Sequence, residues 1–219
     1  MKVIIHIAAQ VHGRVLVQEA SASPAPLLVC FHGYGENAEQ FLETVTAIRD
    51  VSKWHVAVIQ ALHPFYDRKT RSVVASWMTK QDRDHAITDN VAYVTKAVET
   101  VRRQLGVKSP TAFLGFSQGT AMAYRSAYLT NQQCDGLIAL AGDAPVEIET
   151  SAINRVPSIL IGRGSADTWY DEQKLKNDVT RLTRMGSSVE VCVFEGGHTW
   201  TDSFRTVAGA FLEKLRHSG

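Results

Sequence analysis

Short apolar runs recur along this chain, and the segments between them carry helical spacing. LLVCFHG, WHVAVIQA, TAFLGFS, CDGLIALAG, SILIGRG and VEVCVFEGG all read as strands. LLVCF is apolar without alternation, which suits a strand covered on both faces. From Asp84 to Leu105, the residues Ile87, Val91, Val94, Val98, Val101 and Leu105 step by three or four, the stripe of a helix lying on a core. Phe204, Val207, Ala208, Phe211, Leu212 and Leu215 repeat that pattern near the end, with Thr201 or Asp202 placed to cap it. Strands alternating with helices imply crossover connections and a mostly parallel sheet with helices on both faces. In such sheets a ligand sits beyond the carboxyl ends of the strands. Chemistry should therefore be sought in the loops that follow the apolar runs.

Two β-prone runs open the chain, VIIHIAAQV and GRVLVQEA, and His12-Gly13 between them predicts a hairpin turn. SASPAP then marks a loop. No repeat or linker divides the 219 residues, so one domain is expected over residues 1–219. The connection from Gly142 to Ser158 is too short to hold an inserted helical lid domain. Composition is that of an ordinary globular chain, with 45% hydrophobic and 21% charged residues. A net charge of +1 offers no field for nucleic acid or an anionic membrane surface. Cys30, Cys134 and Cys192 lie far apart inside or beside apolar runs, without metal-ligand spacing, and read as core residues of a protein in a reducing compartment. MKVIIHIAAQ lacks the form of a signal peptide and no run reaches spanning length, so a cytoplasmic protein without stable membrane insertion is expected.

Within this frame, residues 113–121 read FLGFSQGTA. A G-x-S-x-G match alone is weak, and its bland reading is a tight turn. Here it follows an apolar strand and opens a run of small residues that can be helical, the setting of a nucleophile elbow. Ser117 would then stand on a strained turn, with Gly115 and Gly119 removing side chains that would collide with neighbouring backbone. Helix N–H groups would point at the serine, ready for developing negative charge.

A serine hydroxyl needs a base, and the base needs an orienting acid. In α/β-hydrolases the order along the chain is Ser, then Asp or Glu, then His. SILIGRG ends in SAD, placing Asp167 just past a strand, and VEVCVFEGG ends in His198. Asp143, after LIALAG, is the alternative acid, and Asp171 reads as a helix cap. Among other histidines, His6 and His55 fall in expected strands, His12 in a turn, His85 near a helix start and His217 in the tail. His63 is a loop residue able to line a site. Two backbone amides should receive an oxyanion: that of Gln118, after the nucleophile, and that of Tyr34, bracketed by glycines in CFHGYGEN.

FHGYGEN, Ser76-Trp77, GFSQG, GRGSAD and EGGH together resemble the motif series of the phospholipase/carboxylesterase family of α/β-hydrolases, over nearly the whole chain. The family includes acyl-protein thioesterases, lysophospholipases and small carboxylesterases. The resemblance implies an α/β-hydrolase fold with no substantial lid, a catalytic triad of Ser117, Asp167 and His198, and oxyanion-hole amides from Tyr34 and Gln118. It implies a serine esterase with no cofactor and no metal, acting on a small-molecule ester or thioester. Trp77 matches the family's tryptophan at the edge of the acyl groove. Arg163 and Thr168-Trp169-Tyr170 depart from the family pattern, and Trp169 and Tyr170 are expected to rebuild the wall beside His198. Lysophospholipase or acyl-protein thioesterase activity is the alternative within enzymes, and a non-catalytic ligand-binding member of the fold the alternative outside them. Acyl length, leaving group, oligomeric state, biological role and whether Trp169 and Tyr170 face the pocket stay open.

Overall fold

The computed structural model describes residues 1–107, 110–150 and 157–218. A seven-stranded sheet runs in the order β1-β3-β2-β6-β7-β8-β9. Its strands are β1 (Arg14–Gln18), β2 (Leu27–Phe31), β3 (His55–Gln60), β6 (Thr111–Phe116), β7 (Gly136–Leu140), β8 (Ser158–Gly164) and β9 (Val189–Phe194). All neighbours are parallel except β1, which pairs antiparallel with β3. This is the α/β-hydrolase arrangement the alternating pattern predicts. Helices α1 (Ala38–Thr46) and α5 (Asp202–Ser218) cover one face, and α2 (Arg83–Leu105), α3 (Gln118–Tyr128) and α4 (Glu172–Arg184) the other.

The period-two alternation of strands explains the two cores. Leu27, Val29 and Phe31 of β2 point to the α2–α3 side, whereas Leu28 and Cys30 point to the α1–α5 side. Each fully buried Leu, Val or Phe contributes roughly 1.5–3 kcal/mol, before the entropy of ordering is subtracted. Of the helical stripe expected on α2, Val94, Val98 and Val101 are buried, with Ala97 beside them, and Ile87, Val91 and Leu105 are half-buried. Asp171 caps α4 by accepting the Lys174 amide at 2.9 Å, and the Thr201 hydroxyl accepts the Phe204 amide at 3.3 Å at the start of α5. Between Gly142 and Ser158 the chain makes a 3-10 turn at Val146–Thr150; residues 151–156 of that expected lid-free connection lie outside the described residues. Among the described residues no helix is long and apolar enough to cross a membrane.

Two local expectations fail. The opening hairpin does not form: residues 1–13 contain no strand, and Ile4, Ile5 and Ile7 are exposed. Strand β1 pairs along one edge with β3, and the apolar run before it meets the start of α2 through His6, against Asp82 and His85, while its isoleucines stay exposed. The chain is instead anchored at its entry to β1, where the Tyr93 hydroxyl accepts the Arg14 amide and donates to the Arg14 carbonyl, both at 2.9 Å. The second failure is a missed hairpin, β4 (His63–Tyr66) with β5 (Val73–Ser76). Its turn is held by Asp67, whose carboxylate accepts the amides of Lys69 and Thr70 and the Thr70 hydroxyl. His63 thus lies in a strand rather than a loop, and it lines a separate cavity with Asp82 and His85.

Candidate active site

The carboxyl ends of β2, β6, β7, β8 and β9 all open on one side of the sheet, and the loops there converge on Ser117. Strand β6 ends at Phe116 and α3 begins at Gln118, so Ser117 alone makes the turn. Its φ of 52° and ψ of −119° are strained for a residue with a side chain. The conformation persists because its surroundings overdetermine it. The Ser117 amide donates to the Leu140 carbonyl at 2.9 Å. A Cβ on Gly119 would lie 2.0 Å from the Phe31 carbonyl oxygen, and one on Gly115 2.5 Å from that of Gly119. Strand, turn and helix are packed backbone to backbone, which only glycine permits.

His198 follows β9 and its Nε2 lies 2.8 Å from Ser117 Oγ. Its Nδ1 lies 2.9 Å from Asp167 Oδ2. A carboxylate only accepts, so the imidazole proton sits on Nδ1 and the Nε2 lone pair faces the serine hydroxyl. Asp167, after β8, is buried, and its other oxygen accepts the amides of Trp169 at 2.8 Å and Tyr170 at 3.0 Å. The imidazole is partly exposed and lies against the Phe116 ring, centroids 5.3 Å apart. The alternative acid, Asp143, points to Lys174 at 3.4 Å and is largely exposed.

The loop after β2 is built around a buried histidine that the sequence reading passed over. His32 Nε2 accepts the Ala61 amide at 3.1 Å, which leaves Nδ1–H to donate to the Gly33 carbonyl at 2.7 Å. Burial pushes the His32 pKa down, in keeping with a neutral ring, although the Gly33 hydrogen bond opposes it. Glu36, also unremarked, accepts the Gly33 amide at 2.6 Å. Burial raises its pKa, while that hydrogen bond and the nearby His198 pull it down. Held at both ends, the loop presents the Tyr34 amide outward; among the described residues neither this amide nor that of Gln118 has an acceptor. The Tyr34 ring is 62% exposed and lies against Phe65.

Residues 12–216 match the family model described as Phospholipase/Carboxylesterase. The chain belongs to the phospholipase/carboxylesterase family. That membership places it among ester hydrolases with the α/β-hydrolase fold. Esterase PE8 superposes on it with a TM-score of 0.76 at 21% identity, covering 94% of this chain and 100% of its own. A carboxylesterase from Bacillus cereus gives 0.74 at 14%, covering 93% and 94%. Acyl-protein thioesterase 2 from Zea mays gives 0.74 at 17%, covering 93% and 99%. At these identities the likeness is one of fold. No curated protein sequence matches the chain.

Against this family background, the three aromatic residues expected around the groove separate. Trp169 is 75% exposed and lines a groove of about 500 Å³ with Ser117 and His198. Tyr170 does not: it is buried, its hydroxyl donating to Asp178 Oδ2 at 3.0 Å, and burial and that carboxylate push its pKa up. Asp167 holds both of their amides, and consecutive side chains in this extended turn face opposite ways. Trp77 is also no groove edge; it is fully buried, its indole N–H donating to the His32 carbonyl at 2.9 Å. A buried indole needs an acceptor, and this one is found at the end of β2. The Gln118 side chain completes the brace, accepting the Trp77 amide at 2.9 Å and donating to the Met78 carbonyl at 2.8 Å. Among the described residues no group of three His, Cys, Asp or Glu gathers as a metal site.

Proposed function

We propose that this chain is a single-domain, cytoplasmic serine hydrolase that cleaves carboxylic esters or thioesters through an acyl-enzyme on Ser117. The observation that carries the reading is the continuous chain from Ser117 Oγ through His198 to Asp167, at 2.8 and 2.9 Å, on a backbone held at positive φ. Ser117 Oγ attacks the acyl carbonyl as His198 Nε2 takes its proton, and Asp167 stabilises the resulting imidazolium. The tetrahedral oxyanion is received by the amides of Tyr34 and Gln118, each worth about 100- to 1000-fold in rate. His198 then returns the proton to the departing alkoxide or thiolate. Water, losing a proton to the same nitrogen, attacks the acyl-enzyme, and the carboxylic acid leaves as Ser117 regains its proton. Nucleophile, base and orienting acid are all side chains, so no step requires an added group.

Carboxylesterase activity is the leading form of this reading, with lysophospholipase or acyl-protein thioesterase activity the alternative. The test is a hydrolysis panel of p-nitrophenyl esters graded by chain length, with lysophosphatidylcholine and an acyl thioester. Ser117→Ala should lower turnover by about 10⁵-fold or more while leaving the thermal melt in place. An Ala variant that retains full activity would falsify the mechanism.

A further inference from the structure

The groove runs away from Ser117 along α3 toward a pair of arginines that the catalytic chain does not use. Arg125 is only 3% exposed, yet it lines the groove together with Arg83 and Met78. One carboxylate, Glu147, stands between the two cations. It accepts Arg125 Nε at 2.8 Å and Nη2 at 2.7 Å, and Arg83 Nη2 at 3.1 and 3.2 Å. Arg83 Nη1 also lies 3.9 Å from Asp84, but that carboxylate is fully exposed and its pull is screened by solvent. Among the described residues, Glu147 is thus the one carboxylate the two guanidinium groups share, and it alone offsets Arg125. The rim pair of Lys174 and Asp143 cancels itself.

The hydrogen bonds are as unbalanced as the charge. Among the described residues Arg125 Nη1 faces only thioether sulfurs, Met78 Sδ at 3.7 Å and Met122 Sδ at 3.8 Å. Thioethers are weak acceptors, whereas a buried guanidinium is matched by a carboxylate fork. Met78 is unbranched and itself lines the groove, so it can move aside for an incoming group. The same groove is lined by Ala121, Ala141, Ala144, Pro145 and Val146, apolar and small. Such a corridor suits methylene groups with a charged terminus.

We propose that the enzyme selects esters or thioesters bearing a carboxylate remote from the scissile carbonyl, with Arg125 and Arg83 binding that carboxylate. The inference rests on the hydrolase reading above and adds the substrate's charge to it. Eight residues of α3 separate Ser117 from Arg125, roughly 12 Å of helix. Several methylenes, together with the contacts at either end, cover that span.

The test compares monoethyl adipate and monoethyl suberate with neutral ethyl esters of matched length. A second arm places the carboxylate on the alcohol side, using 4-acetoxybutanoate against butyl acetate. We expect kcat/KM to favour the anionic member in one arm by about tenfold to a hundredfold, the worth of one charge-assisted hydrogen bond. The arm that responds tells which side of the substrate occupies the corridor. Arg83→Gln and Arg125→Met should erase the preference. Glu147→Gln should enlarge it, because it removes the competing charge, whereas a merely structural glutamate would not. A preference near one in both arms, or one that survives both arginine changes, overturns the inference. Calorimetric titration of Ser117→Ala protein with adipate separates the two readings. If no ester is cleaved, the hydrolase reading has failed, and adipate binding then supports the anion site while its absence overturns it.

Discussion

The two ends of the groove are built in opposite ways. At the Ser117 end nearly every polar atom has a partner at 2.6–3.0 Å: Asp167 uses both oxygens, His198 both nitrogens, and Glu36 fixes the loop after β2. At the Arg125 end Glu147 is divided between two cations, Arg83 keeping a second, fully exposed partner in Asp84, and among the described residues one Arg125 nitrogen meets only sulfur. Apart from the Tyr34 and Gln118 amides, the first arrangement is complete before any substrate arrives, which is what a low cost of reorganisation in the transition state requires. The second is left incomplete by the protein's own groups, and a ligand can complete it.

The largest effect that could break this contrast lies at the acid. Asp167→Asn should lower kcat by about 10⁴-fold, because the amide can donate as well as accept and no longer holds the imidazole proton on Nδ1. Asp143→Asn should cost far less. Comparable losses in the two variants would show that the acid has been assigned to the wrong strand.

Next comes the backbone. Gly119→Ala forces a Cβ to 2.0 Å from the Phe31 carbonyl, where neither β2 nor α3 can yield. We expect a loss of several kcal/mol, in the range of severe overpacking. Chemical denaturation would register it, and an unchanged midpoint would mean that the turn is looser than its contacts imply.

The smallest effects sharpen the division between neighbouring aromatics. Tyr170→Phe removes the hydroxyl that donates to Asp178 and should lower stability by about 1–3 kcal/mol, with little change in KM. Trp169→Ala should reverse the pattern, altering KM for bulky esters while the melt stays put. If Tyr170→Phe moved KM instead, its ring would have to reach the groove.

These contrasts also explain how far the site could be read from the chain. Ser117, Asp167 and His198 were legible because each occupies the first positions after an apolar strand, and the order of the loops follows from a parallel sheet. Gly115 and Gly119 were legible for a local reason, since a tight strand-to-helix turn leaves no room for Cβ atoms. Trp77 and Tyr170 were misplaced because a motif gives a position and not the direction of a side chain. Both found buried acceptors, His32 and Asp178, that lie far away in sequence or across a helix turn. Arg125 was hidden inside a run of small residues, and only the approach of Glu147 from the connection after β7 gives it meaning. His32 and Glu36 carried a faint signal, flanking the glycines of the loop after β2. The opening run VIIHIAAQV shows the opposite error, a β-prone run whose isoleucines the fold leaves exposed.

Reaction with a fluorophosphonate probe, followed by mass spectrometry of the digested protein, addresses the central point. The account predicts one adduct per folded chain, on the peptide containing Ser117, formed much more slowly in His198→Ala protein and absent from Ser117→Ala. Folded protein that resists the probe, or carries it on another residue, would contradict the assignment of Ser117 as the nucleophile.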